Sequence, residues 1–186
     1  TAVPGDQSID LGEGVTVEIL AANGRVHADD EGALAYVQGR KPQQYGRSRA
    51  SENDFSIALE IDYGDFEFFT AGDLGGAAHP GEDVPHPHST ARFFGETFTN
   101  VESWMAAWWW HSGREGDVEV YRANHHGSAW SSTASLLEAL DPEFILYSTG
   151  GQYGHPTRDV VTRGAATAEQ LVTSDVSKTT WPRGLP

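Results

Sequence analysis

With 12 Lys and Arg against 27 Asp and Glu, this 186-residue chain carries a formal charge of −15, which excludes a broadly attractive surface for duplex nucleic acid, since such binding needs basic residues that displace counterions. Hydrophobic residues make up 38% of it, with 6 Trp, 6 Tyr and 8 Phe, enough apolar material for one folded domain and too much for wholesale disorder. Cysteine is absent, which excludes disulfides and thiolate ligands and leaves the redox compartment open. Any metal must then be held by His, Asp, Glu or Asn.

No apolar run reaches the roughly 18 residues of a membrane-spanning helix, and the first residues lack the basic and apolar regions of a signal peptide. The chain is expected to be free of membrane insertion. It opens on Thr1-Ala2-Val3-Pro4 without an initiator Met, so it is expected to be processed, trimmed or cut from something longer.

Val15 to Leu20 alternates β-branched residues after Gly12-Glu13-Gly14 and predicts a strand. The polar stretch from Ala21 to Ser51 reads as loop, and its basic patch, Arg40 to Arg47, reads as a solvated surface or a phosphate clamp. Phe55 to Asp62 and Phe66 to Ala71 form a predicted hairpin around Tyr63-Gly64-Asp65. The second strand runs into Gly72-Asp73-Leu74, which sets a carboxylate at a strand end where it caps a turn or meets a ligand.

A Pro-, Gly- and His-rich insertion follows at about 77–98. Its His86-Pro87-His88 has chelating spacing but no flanking strand, so a surface loop is the better reading. Thr99 to His111 predicts a helix capped by Thr99 or Asn100, with a Trp cluster that suits a core or an interface better than base stacking, because no basic residues interleave it. Asp117 to Ala123 reads as a strand ending in Asn124-His125-His126-Gly127-Ser128. Two imidazoles placed there can bind a metal or move a proton, or can simply cap a turn.

Ser131 to Ser135 opens a helix through Leu140 that Asp141-Pro142 ends, and Phe144 to Tyr147 reads as the next strand. The loop Gly150 to Pro156 puts His155 above that strand, and Thr157 begins a final helix expected to extend to about Val172. Asp73, His125-His126 and His155 therefore top three strand ends. In a layered α/β fold such groups converge on one rim of the sheet, where a carboxylate and imidazoles suit zinc or manganese.

The order Asn53-x-x-Ser56, Gly72-Asp73-Leu74, Asp117-Val118-x-Val120 leading to His125-His126-Gly127-Ser128-x-x-Ser131, and Tyr153-Gly154-His155-Pro156 resembles the carboxy-terminal half of a metallo-β-lactamase-fold hydrolase. The similarity spans roughly Gly12 to Asp175. It is nearest to the hydrolase domain of ComEC-type DNA-uptake proteins and their free-standing relatives, and more distant to phosphorylcholine esterases. The resemblance implies an α/β fold, the second half of an αββα sandwich with a mixed β-sheet flanked by helices. It also implies two divalent metal ions, zinc or else manganese, with Asp73 bridging them and one of His125 and His126 as the last ligand. His155 is implied as a substrate-side or proton-transferring group, and Asn53 as a residue that orients or contacts substrate.

The family's His-x-His-x-Asp-His signature is absent from this sequence. His86-Pro87-His88-Ser89 does not replace it, because it follows Asp73 and no Asp-His succeeds it. The expectation is an incomplete site completed by an amino-terminal half, cleaved or on a separate chain, which would also cover one sheet face. The expected activity is metal-dependent hydrolysis of a phosphoester by an activated water, on a small or single-stranded phosphodiester in preference to a duplex. The competing expectation is a non-catalytic interaction module or an inert fragment.

Overall fold

A computed structural model describes residues 8–27, 52–76, 100–114, 116–150 and 154–173, with the backbone alone for 170–173. The basic patch at 40–47, the insertion with His86 and His88, Thr99 and Tyr153 lie outside the described residues. Within them the chain is α/β: one mixed sheet of eight strands with three helices.

The strands are β1 (Ser8–Gly12), β2 (Val15–Ala22), β3 (Arg25–Val26), β4 (Ala58–Tyr63), β5 (Phe66–Thr70), β6 (Val120–Arg122), β7 (Phe144–Ser148) and β8 (Glu169–Thr173). The helices are α1 (Val101–Ser112), α2 (Ala134–Leu140) and α3 (Arg158–Gly164). The sheet order is β1-β2-β4-β5-β6-β7-β8, with β3 paired to β2. The first half is an antiparallel meander, whereas β5, β6, β7 and β8 run parallel. Parallel neighbours need crossovers, and α2 and α3 supply those into β7 and β8.

Local chemistry accounts for most boundaries. Gly64 takes φ +65° in the turn joining β4 to β5, where its missing Cβ removes the strain of a left-handed turn position. Asn100 caps α1 by accepting the Ser103 N–H at 3.0 Å, which leaves Thr99 unneeded for that role. Thr133 caps α2 in the same way through Leu136, and Asp141, at φ +42°, ends the helix just before Pro142.

Three expectations change. The hairpin's first strand starts at Ala58, because Glu52–Phe55 winds into a 3-10 turn. β6 is confined to Val120–Arg122, although Val118 is fully buried beside it. The last helix stops at Gly164, and the chain re-enters the sheet as β8 along β7. Ala165–Ala168 form the turn between α3 and β8, and the pairing of Glu169–Thr173 with β7 outweighs continuation of the helix.

The two faces of the sheet differ. On one, the rung Glu18, Glu60, Phe69, Tyr121 and Ile145 lies under the helices, and the core there is built from Leu20, Phe69, Met105, Trp109, Tyr121, Leu136 and Tyr147. Trp104 and Trp108 pack against it, while Trp110 is 52% exposed. Burial pushes Glu60 up to about 7 in pKa, and Arg114 pairs with both Glu60 and Glu18 while lying over the rings of Trp108 and Trp109.

The opposite face carries the rung Ile9, Val17, Ile61, Phe68, Val120 and Phe144. No described helix covers it. Ile9 is 48% exposed and Phe66, two positions from Phe68 on β5, is 43% exposed, whereas Val17 in the middle of the rung is buried.

Candidate active site at the strand rim

Because β5, β6 and β7 are adjacent and parallel, their carboxyl ends open on one edge of the sheet. Asp73 follows β5, His125 and His126 follow β6, and His155 lies in the loop after β7. Such an edge is where open α/β sheets place their ligands.

The histidine turn is held in an uncommon backbone conformation. His125, His126 and Gly127 all have positive φ, at +48°, +56° and +74°. Each of the two histidines gives up on the order of 1–2 kcal/mol to occupy that region. The surroundings hold them there: the His125 N–H donates to Gly72 O at 2.9 Å, and the Ser128 N–H donates to His125 O at 3.0 Å. A Cβ on Gly127 would stand 2.7 Å from Pro156 Cβ and 3.0 Å from Tyr147 Cδ1. Glycine is thus required where the turn meets the His155 loop, which is further pinned by Thr157 N–H to Gly127 O at 2.9 Å.

The two imidazoles are not equivalent. His126 Nδ1 lies 2.6 Å from Ser148 O; since a carbonyl only accepts, Nδ1 carries the hydrogen, and the neutral ring keeps its Nε2 lone pair for the rim. Nε2 faces Asp73 Oδ1 at 3.5 Å, and both side chains remain accessible, 43% and 39% exposed. Two ligands of one tetrahedral zinc, each at about 2.0–2.1 Å, would be separated by roughly 3.3 Å. The His126–Asp73 pair fits that spacing, and its carbonyl-anchored ring has the support expected of a metal-binding histidine.

His125 packs against His155 instead, with ring centroids 6.1 Å apart. Burial lowers the pKa of His125, opposed by Asp73 and reinforced by His126. Burial also lowers that of His155, with His125 and His126 adding to the effect and Asp73 opposing it. Both rings are therefore neutral at pH 7 and able to accept a proton.

Asn53 lies in the 3-10 turn before β4. Its carbonyl accepts the Ser56 N–H at 3.1 Å, and Ser56 Oγ comes within 3.4 Å of where a Gly72 Cβ would be. The turn thus abuts the Asp73 loop. No group of three or more His, Asp or Glu among the described residues is arranged to hold a metal ion, so His126 and Asp73 form a two-donor set.

The rim has further supports that motif reading did not find. Ser148 O orients His126, and the fully buried Asn124 immediately before the histidines donates to Glu102 Oε1 at 2.8 Å. The sequence cue was Asn124 itself, a polar residue at a strand end facing a core. The chain matches no protein-family model, and no curated protein is significantly similar to it. No helix of the described residues is long and apolar enough to cross a membrane.

Proposed function

We propose that this chain is the carboxy-terminal part of a metal-dependent phosphoester hydrolase of the metallo-β-lactamase kind. The observation that carries the proposal is the convergence of Asp73, His126, His125 and His155 on one rim, with His126 Nε2 and Asp73 Oδ1 3.5 Å apart. Asp73 and His126 would hold metal, and the remaining ligands would come from an amino-terminal half bearing the His-x-His-x-Asp-His segment. The apolar rung from Ile9 to Phe144 supports a second layer on that face, because a contiguous apolar face is stabilised by being covered.

When bound, a zinc or manganese pair supplies Lewis acidity and brings the pKa of water toward neutrality. The chain's own residues do the rest. Ser148 fixes the His126 ring so that its Nε2 lone pair stays on the rim. His155, neutral through burial, accepts a proton and returns it to the leaving oxygen, with His125 packed beside it. Asn53 offers a carboxamide to orient the phosphoryl group. The charge of −15 disfavours extended duplex contact, so a small or single-stranded phosphodiester is the favoured substrate class.

The test is hydrolysis of bis(p-nitrophenyl) phosphate by the native assembly in zinc or manganese. Asp73→Ala and His126→Ala should each lower kcat/KM by about 100-fold or more, and His125→Ala by less, in line with the 10- to 100-fold cost of losing a group that merely supports a ligand. Equal activity in all four proteins would sink the reading.

A further inference from the structure

Glu102, the second residue of α1, is fully buried, and both of its carboxylate oxygens accept hydrogen bonds. Oε1 accepts from Asn124 Nδ2 and from the Ser132 N–H, both at 2.8 Å, and Oε2 accepts from the Thr133 N–H at 2.7 Å. The Thr133 hydroxyl is a further donor. Burial pushes the Glu102 carboxyl up in pKa and these donors oppose that rise; a carboxylic O–H would point at a donor here, so the hydrogen bonding suits the ionised group.

The counter-charge reaches Glu102 through the backbone. Arg163 Nη1, on α3, donates to Ser131 O at 3.1 Å and to Ser132 O at 2.7 Å. Those carbonyls belong to the same two peptide groups whose N–H ends, on Ser132 and Thr133, donate to Glu102. Two aligned peptide dipoles thus sit between a cation and a buried anion, each polarising the next.

The carboxylate also joins the loops that bear the rim. Gly75 O accepts the N–H groups of Val101 and Glu102 at 3.1 and 3.3 Å, and the Gly76 N–H donates to Trp130 O at 2.7 Å. A Cβ on Gly76 would lie 2.5 Å from Glu102 Oε2, so the Asp73 loop passes directly over the carboxylate. On the other side, Asn124 also donates its N–H to Tyr121 Oη at 3.0 Å and accepts from Ser131 Oγ at 2.6 Å. The next residue, His125, closes the circuit through Gly72 O.

We infer that Glu102 is the positioning residue of the rim, its buried carboxylate setting the histidine turn against the Asp73 loop, with Arg163 as its peptide-bridged partner. The role in catalysis rests on the hydrolase reading; the positioning itself does not. Loss of such supporting groups lowers metal affinity or activity by about 10- to 100-fold.

The experiment is amide hydrogen exchange on the 186-residue chain within its native assembly, comparing Glu102→Gln with Leu20→Ala, a core truncation on β2. Glu102→Gln should cut protection of the His125 and Gly76 amides by about tenfold or more beyond the change shared by all core amides. Leu20→Ala should lower protection broadly without singling them out. If Glu102→Gln does not fold, Arg163→Met should give the same selective pattern at a smaller amplitude. Unchanged relative protection of His125 and Gly76, or the same loss in Leu20→Ala at matched stability, overturns the inference. Hydrolysis of bis(p-nitrophenyl) phosphate by the native assembly, measured in parallel, separates the two readings. Selective deprotection in an assembly without wild-type activity sinks the hydrolase reading alone, and a fall in activity with His125 still protected sinks positioning alone.

Discussion

Replacing Gly127 by Ala tests whether the histidine turn is set by its packing on the His155 loop. Two costs add. At φ +74°, a side chain gives up about 1–2 kcal/mol to the left-handed conformation. Its Cβ would also stand 2.7 Å from Pro156 Cβ and 3.0 Å from Tyr147 Cδ1, atoms of a stiff ring and of a buried aromatic, and forcing them apart costs about 1–3 kcal/mol. The sum is about 2–5 kcal/mol, or roughly 4–20 °C in Tm for a domain of this size. Gly113 provides the control, since it also has φ +74° and a Cβ there meets no atom within 4 Å. Gly113→Ala should therefore show the conformational cost alone. Thermal unfolding of both variants by circular dichroism measures the difference. If the two lose the same stability, the turn is not packed on Pro156 and the positions assigned to His125 and His126 relative to His155 are wrong.

Other consequences concern pH and the sheet face opposite the described helices. Burial raises Glu60 from 4.5 to about 7, so between those values the folded chain retains a proton that the unfolded chain has released. Stability from this group is present at the acid end and lost as pH rises through about 7, by up to about 3 kcal/mol. Urea unfolding at pH 5 and pH 8 should show that slope in the wild type and a flatter one in Glu60→Gln; identical slopes would contradict it. Phe68→Asp places a charge on the rung that no described helix covers and should leave the far-UV spectrum unchanged while abolishing association with the proposed amino-terminal half, as read by sedimentation velocity. Association at unchanged strength would show that the half docks elsewhere. His126→Ala should weaken zinc binding in calorimetry more than His125→Ala does, because only His126 has its ring anchored for an Nε2 ligand; the reverse order would reassign the ligand.

Local patterns carried the reading of the sheet's middle. Alternation in Val15 to Leu20 and the glycine of Tyr63-Gly64-Asp65 place β2 and the β4–β5 hairpin, because those signals arise within a few residues. The rim was legible for a related reason: Asp73, His125 and His155 each follow an apolar run, and parallel pairing of β5, β6 and β7 brings those ends together. β8 was not legible, since it is the pairing of Glu169–Thr173 with the distant β7, after a turn over Ala165–Ala168, that ends the helix early. Glu102 was hidden for the same cause. Its partners stand 22, 30 and 31 positions away, and in sequence it is merely an acidic residue in the first turn of a Trp-rich helix. The anchoring of the His126 ring was hidden too, because it depends on a backbone carbonyl, Ser148 O, whose position no side-chain pattern encodes.

The most direct test of the central claim is the metal content of the native assembly, measured by mass spectrometry of the elements after exhaustive dialysis. About two zinc or manganese ions per chain, falling sharply in Asp73→Ala, is the predicted result. An assembly that retains full phosphodiesterase activity with no bound metal, or whose metal content is indifferent to Asp73 and His126, would contradict it.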